Sequence, residues 1–247
     1  MTSKIKNMKN FSIIIPAYNE SVEIIKTLTS VHAFCEQQLD DYEIIVVNDG
    51  STDDTGQLIA AFSEQHKKTI PIRFSKNEGK GAAVRAGVLR SAKDYVIFTD
   101  ADLSTPPGEM INALRYLKNG YDIVIGSRAL KESRVQKRQG IVRQTMGKVF
   151  NFFVATLLFR GIHDTQCGFK CFTRAAAKNI FSALKITGFC FDVEVLYKAR
   201  KKKFRIKEMP VVWINREESR VALVRSPLSM FYDLFRIKMN GIRGLYS

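Results

Sequence analysis

The sequence has few cysteines, no apolar run of membrane-spanning length, no internal repeat and no low-complexity segment, and each absence removes a class of protein. Four cysteines in 247 residues (Cys35, Cys167, Cys171 and Cys190) are too few and too scattered for a secreted disulfide scaffold. They read as reduced thiols in a cytosolic environment. The tightest spacing, Cys167 to Cys171, has no second Cys or His pair beside it, and His163 alone does not complete a zinc site. The longest stretch without a charged residue is Val149–Phe159, about half of the roughly 20 residues a helix needs to cross a bilayer. The basic start, Met1–Asn10, is followed only by the short apolar segment Phe11–Ala17, so a signal peptide is not expected. With 45% hydrophobic and 26% charged residues, disordered and fibrous classes are set aside. The length suits one large α/β domain, or a domain with a small appendage.

What the chain has in excess is positive charge, unevenly placed. Its 39 Lys and Arg against 24 Asp and Glu give a formal net charge of +15. Residues 1–127 hold 14 basic and 16 acidic side chains, whereas residues 128–247 hold 25 and 8. A near-neutral first half joined to a basic second half implies two jobs. The second half is expected to face a polyanion, whether nucleic acid, anionic lipid headgroups or a phosphorylated substrate, unless it is only a solvated basic face.

The first half alternates two periodicities. Nearly continuous apolar runs predict strands at Phe11–Pro16, Glu43–Asn48, Ile70–Ser75, Asp94–Thr99 and Asp122–Gly126. Helical spacing predicts helices at Ser21–Gln37, Thr55–Gln65, Gly81–Ala92 and Gly108–Asn119. Ser51–Asp54 and Ser104–Pro107 are helix-start signals. Strands alternating with helices make an α/β fold with a Rossmann-like, mainly parallel sheet, and such sheets bind ligands beyond the carboxyl ends of their strands. Every predicted strand is followed there by polar or glycine-rich residues: Tyr18-Asn19-Glu20, Asn48–Asp53, Asn77–Gly81, Asp100-Ala101-Asp102 and Ser127-Arg128.

Two of these segments carry chemistry on their own. Asp100 and Asp102 end an apolar strand two residues apart, where both carboxylates can converge on one hard cation, Mg²⁺ or Mn²⁺. Such a cation shares its shell with substrate phosphates, which points to a nucleotide-diphosphate donor. The plainer alternative is a helix cap and a surface carboxylate, and the end of a buried central strand favours the metal. Gly79-Lys80-Gly81 opens a helix, where glycines would let backbone N–H groups approach an anion and Lys80 would add a point charge. The segment is neither a P-loop nor a dinucleotide fingerprint.

Ser12–Glu20, Val47–Asp53, Asn77–Gly81 and Asp100–Asp102, in this order, resemble the motifs of family 2 glycosyltransferases of the GT-A fold. Gly126–Arg128, Asp164–Lys170 and Phe189–Glu194 resemble the polyprenyl-phosphate branch of that family, particularly dolichyl-phosphate β-glucosyltransferases, with the mannosyltransferases as near relatives. The resemblance covers roughly residues 11–240. It implies that Pro16, Ala17, Tyr18 and Glu20 line a nucleoside pocket and that Asp49 accepts a hydrogen bond from the base. It places Gly79, Lys80, Asp100 and Ala101 at the donor, with Lys80 near the pyrophosphate, and Asp100 and Asp102 on the metal. Arg128 would meet phosphate on donor or acceptor, and Arg143 would grip the acceptor phosphate. Mannosyl members often have Gln two residues after the second Asp, where this chain has Ser104. Asp192 occupies a region where many members keep a general base, although a phosphate acceptor is already largely ionised and needs little help. Asp192 would then only position cationic groups.

A lipid phosphate also accounts for the basic half. Lys131, Arg134, Lys137, Arg138, Arg143 and Lys148 lead into Val149–Phe159, as in a helix over 141–160 lying in a membrane interface; a core helix with a charged first turn is the alternative. Lys198–Lys207 holds seven basic residues and no acid, and residues 226–247 form a basic amphipathic segment. Both suit an anionic membrane surface, or docking to a membrane-protein partner or a second copy. The expectation is a catalytic domain over 1–225 plus this segment, peripheral at the cytoplasmic face of a membrane. It would move glucose from UDP-glucose onto a polyprenyl phosphate with inversion, with GDP-mannose or a saccharide acceptor as alternatives. No nucleic-acid partner is expected, because the basic residues build no recognisable reader motif.

Overall fold

The computed structural model describes residues 10–136, 141–214 and 225–246, with the backbone alone for 141–144 and 225–228. The five anticipated strands are present as β1 (Asn10–Ala17), β2 (Asp41–Asn48), β3 (Thr69–Arg73), β4 (Tyr95–Phe98) and β5 (Ile123–Ser127). Between them lie α1 (Ile24–Gln38), α2 (Thr55–Gln65), α3 (Lys80–Arg90) and α4 (Glu109–Lys118). The second half adds β6 (Arg134–Gln136), α5 (Ile141–Leu157), β7 (Lys170–Thr173), α6 (Arg174–Phe181), α7 (Phe191–Lys201), β8 (Ile206–Pro210), β9 (Val212–Ile214) and α8 (Arg225–Ile242).

Seven strands form one sheet in the order β3-β2-β1-β4-β7-β5-β8, and β6 pairs with β9 in a separate parallel ribbon. All neighbours in the large sheet are parallel except at β7, which runs antiparallel to both β4 and β5. Helices cover both faces, so β1 is apolar throughout rather than alternating. Phe11, Ile13 and Ile15 point into a core shared with Leu28 and Val31 of α1, Ile59 of α2 and Leu114 of α4. Ile14 points the other way, toward Val84 of α3, Ile180 of α6, Leu196 of α7 and Ile237 of α8.

The antiparallel β7 was not legible as a strand, being four residues long and opening on a lysine. Its register sets Lys170 opposite Phe98 and Cys171 opposite Ile97. Parallel strands deliver their carboxyl ends to the ligand edge of the sheet, whereas β7 delivers its amino end there. Residues 164–169 therefore lie beside the Asp100–Asp102 turn, 62 or more positions away in sequence.

Candidate functional site

The first two strand ends are braced to each other before they meet any ligand. Asp49 N donates to Ala17 O at 2.9 Å. Asn19, in the left-handed region at φ 55°, accepts from Thr52 N at 2.8 Å and donates its own N–H to Ser51 Oγ at 3.0 Å. Asp53 accepts from Ser21 N at 3.2 Å and from Thr55 Oγ1 at 2.5 Å. Burial raises the Asp53 pKa, but the hydrogen bonds from Thr55 and Ser21 outweigh it and bring it to about 2. These ties present Tyr18 with 42% of its surface exposed above buried Pro16 and Ala17, and leave Glu20 half-buried.

At the end of β4 the chain turns sharply. Leu103 has φ 49°, which brings Ser104 back under Asp102, and Ser104 donates both N–H and Oγ–H to that carboxylate at 2.8 Å. Burial and the adjacent Asp100 carboxylate raise the Asp102 pKa against those two hydrogen bonds. Lys80 Nζ lies 2.5 Å from Asp100 Oδ1. Burial lowers the Lys80 pKa, but Asp100, Asp192 and Asp102 outweigh it, so the ammonium is held above the ordinary lysine value. Two crowded oxygen donors already meeting a cation suit a hard divalent ion. Among the described residues no third His, Cys, Asp or Glu joins them in a metal-holding group. Such an ion would draw the rest of its shell from phosphate and water.

The expected backbone cradle at Gly79–Gly81 requires correction. Glu78 N and Gly79 N donate to the Asp49 carboxylate at 2.7 and 3.0 Å, and Gly81 N and Ala82 N donate to Thr187 O at 2.7 and 3.2 Å. These N–H groups are engaged by the protein itself. The glycines are needed for close packing: a Cβ on Gly79 would lie 2.5 Å from Thr187 O, and one on Gly81 2.7 Å from Ile186 O. Gly79 also has φ 103°. Lys80 remains as the cation of this loop. Asp49, likewise, holds Asn77–Gly79 in place, with burial raising its pKa against those backbone donors.

Residues 164–170 complete the arrangement. A Cβ on Gly168 would fall 1.9 Å from Asp100 Oδ2, so only glycine lets this backbone lie on the carboxylate. Arg128 donates Nε and Nη2 to Asp164 at 2.7 and 2.8 Å, and its guanidinium lies over the Trp213 ring. This fork on a carboxylate fixes the orientation of the guanidinium. Asp192, on the first turn of α7 and 3% exposed, is paired with the fully buried Lys170 at 2.5 Å. Burial raises its pKa, against the lysines at 170 and 80. Asp100, Asp192 and Lys80 thus form one electrostatic group, with Lys170 behind Asp192. Lys170 and Gly168 were not singled out in the sequence; the signal was a lysine inside the apolar stretch Phe169–Phe172, which only a buried partner tolerates.

The basic segments divide on inspection. In Lys198–Lys207 the expected continuous basic face is not found. Lys198 is fully buried and donates to Ile180 O, with burial lowering its pKa to about 8. Lys201 donates to Gly241 O at 2.6 Å, and Arg200, Arg205 and Lys207 lie over the rings of Phe159, Tyr121 and Tyr116. Arg200, Lys201, Lys203 and Arg205 nonetheless remain exposed, so of the seven only Lys198 is withdrawn from the surface. α5 turns Phe150 and Val154 into the core while Val149, Phe152 and Phe153 are exposed. α8 buries Leu234 and Ile237 and exposes Tyr232, Phe235, Met239 and Ile242. Among the described residues no helix is long and apolar enough to cross a membrane. Lys137 and Arg138 lie outside the described residues, as does the side chain of Arg143, whose backbone belongs to α5.

A mainly parallel sheet with a paired carboxylate at the end of its fourth strand defines the GT-A class of α/β transferase fold, and solved structures agree. Glucosyl-3-phosphoglycerate synthase from Mycobacterium tuberculosis, crystallised with UDP, superposes with a TM-score of 0.68 at 17% identity, covering 93% of this chain and 80% of that one. The same enzyme with Mn²⁺, UDP and phosphoglyceric acid gives 0.64 at 19% identity over 91% of this chain and 78% of that one. The family model for glycosyl transferase family 2 matches residues 12–181, and the chain belongs to that family. Curated relatives named dolichyl-phosphate β-glucosyltransferase are 34% identical over 95% of this chain and 76% of the protein from Dictyostelium discoideum, and 35% identical over 96% of this chain and 78% of that from Homo sapiens.

Proposed function

We propose that the chain transfers glucose from UDP-glucose to a dolichyl or other polyprenyl phosphate, inverting the anomeric carbon. The observation that carries this reading is kinship spread over almost the whole chain with proteins of that name, including the second half that would meet the acceptor. In the reaction an acceptor phosphate oxygen forms a bond to C1 as the bond from C1 to the donor's β-phosphate oxygen breaks. The nucleoside diphosphate leaves, and no covalent enzyme intermediate forms.

Tyr18 and Glu20 with Pro16 and Ala17 flank the nucleoside, and Asp49 supports that pocket through the Asn77–Gly79 loop. Lys80 turns from Asp100 to the departing diphosphate, where a fixed ammonium lowers the energy of developing charge. Asp100 and Asp102, carried by the Ala101 turn, hold Mg²⁺ or Mn²⁺, which when bound supplies further charge stabilisation at the diphosphate. Arg128 and Arg143 hold the acceptor phosphate, with Asp164 orienting Arg128. The acceptor's second pKa is near 6, so at neutral pH it attacks without losing a proton. Asp192, with Lys170 buried behind it, acts as a positioning residue for the two lysines rather than as a base. The exposed aromatic residues of α5 and α8, with Lys148, Arg236 and Lys238 nearby in sequence, rest on the anionic cytoplasmic face of a membrane.

Nucleoside diphosphate release from a panel of nucleotide sugars with Mn²⁺, with and without polyprenyl phosphate, tests the reading. Release from UDP-glucose that depends on lipid phosphate is expected. Lipid-dependent release from GDP-mannose instead would overturn the sugar, and lipid-independent release would overturn the acceptor. Sedimentation with anionic but not neutral vesicles tests the membrane surface.

A further inference from the structure

α7 divides two acidic residues between two tasks. Asp192 and Glu194 are two positions apart on a helix and so face different ways. Asp192 faces Lys170, as described above. Glu194, fully buried, faces the Lys185–Thr187 backbone. Its Oε1 accepts from Lys185 N at 2.9 Å and its Oε2 from Ile186 N at 2.8 Å. The Tyr246 hydroxyl, in the turn that follows α8, donates to Oε1 at 2.6 Å and itself accepts from Asn240 Nδ2 of α8 at 3.1 Å.

The segment Glu194 holds is the one that meets the donor site. Thr187 O takes two N–H groups of the first turn of α3, those of Gly81 and Ala82. A Cβ on Gly81 would come within 2.7 Å of Ile186 O and of Phe191 Cβ, so the two backbones are in direct contact. Lys80, the first residue of α3, stands on Asp100. Hydrogen bonds therefore run from Asn240 through Tyr246 to Glu194 and on to the N–H groups of Lys185 and Ile186, and the backbone carries the link one residue further to Thr187, whose carbonyl takes the turn that aims Lys80. Packed backbone of this kind transmits displacement rather than absorbing it.

We propose that Glu194 is a positioning residue for the donor site: with the Tyr246 hydroxyl it clamps Lys185–Thr187 against the first turn of α3 and so sets where Lys80 meets the donor diphosphate. Neither side chain touches substrate, and α8 contributes to donor binding through this clamp. The inference rests on the reading of Lys80 as a diphosphate-binding group.

The test measures UDP affinity in the presence of Mn²⁺ by titration calorimetry, together with KM for UDP-glucose and for polyprenyl phosphate. Tyr246→Phe removes one hydroxyl and should weaken UDP binding and raise the donor KM by about fivefold, the scale of one net hydrogen bond. Glu194→Gln should raise both by roughly tenfold or more, since a charged acceptor is lost. The acceptor KM should stay within about twofold in both variants, a split that general loosening of the fold would not produce. In a Lys80→Ala background, each substitution should change UDP affinity by less than about twofold, because its route to the ligand is gone. Unchanged donor KM in Tyr246→Phe, or effects that multiply fully with Lys80→Ala, would overturn the clamp while leaving the donor site standing. Wild-type protein that binds no UDP with Mn²⁺ would overturn the donor reading and the clamp with it.

Discussion

The charged residues of strand ends 48–102 and those of residues 164–198 solve different problems with the same chemistry. In the first region Asp53, Asp100 and Asp102 are partly exposed at the edge of the sheet, Asp53 and Asp102 held by hydroxyls and backbone N–H groups of short turns and Asp100 by the Lys80 ammonium. In the second, Lys170, Glu194 and Lys198 are wholly buried and Asp192 nearly so, each with a partner a few ångströms away. A partly exposed carboxylate at the edge of a sheet is still within reach of a ligand. Buried ions are committed to fixed protein partners, Lys170 and Asp192 to each other and Glu194 and Lys198 to neutral hydrogen-bonding groups, because an unpartnered charge in the interior costs several kcal/mol. The net charge of the second half therefore overstates its basic surface, since part of that charge ties α7 to β7 and α6.

Asp102 should separate the two regions most sharply. If edge carboxylates serve ligands, Asp102→Asn should lower turnover by about 10³-fold or more while the melting temperature holds or rises, because a repelling neighbour of Asp100 is neutralised. Steady-state rates and a thermal melt decide it; normal turnover would move the reaction away from this turn. The converse holds for the buried ions. Lys170→Met leaves Asp192 without its nearest cation and should cost about 3–5 kcal/mol in denaturant unfolding. At an exposed pair such as Lys68 and Glu36, Lys68→Met should leave the denaturant midpoint nearly unchanged. Similar losses at both pairs would dissolve the distinction between the regions.

Gly168 lies where the two regions touch. Gly168→Ala places a methyl group inside contact distance of Asp100 and must displace either the loop or the carboxylate. A shift near 1 Å should cost about 10²-fold in kcat with the fold retained, read by kinetics beside a circular dichroism spectrum. Unchanged kcat would mean that residues 164–170 yield without disturbing Asp100.

The same division explains what was legible in the sequence. The four helices and five strands of the first half, and the polar residues that end the strands, follow from periodicity, because each element there is locally consistent and parallel strands are apolar throughout. Asp100 and Asp102 stood out as carboxylates at the end of such a run. β7 did not, because a four-residue antiparallel insertion is decided by strands far away in sequence. Lys198 read as part of a basic face because composition cannot show which lysine of a run turns inward. Glycine at 79 and 81 pointed to a crowded backbone, but the crowding comes from Ile186 and Thr187, a hundred residues on, and not from an anion.

The smallest expected effect concerns Asp53, which belongs to the edge region yet serves the fold. Its folded pKa of about 2 lies below the ordinary aspartate value of 3.8, so the carboxylate is the form the structure favours. A depressed carboxylate contributes stability that is fully present above about pH 4 and is lost as the pH falls toward 2. Solvent screening at this half-buried position leaves about 1 kcal/mol of that contribution. Asp53→Asn should therefore lower the denaturant midpoint modestly at pH 7, by less than half as much at pH 2.5 and hardly at all once the pH falls below about 2, so that the two stability curves converge in acid. The Asn amide keeps one oxygen for Ser21 N but presents an N–H₂ group where Thr55 now donates, so the loss should come from the Thr55 side of the brace. Curves that stay parallel through this range would show that Asp53 carries no charge-dependent load, and that the braces between the Asn19 and Ser51 turns hold through their neutral hydrogen bonds alone.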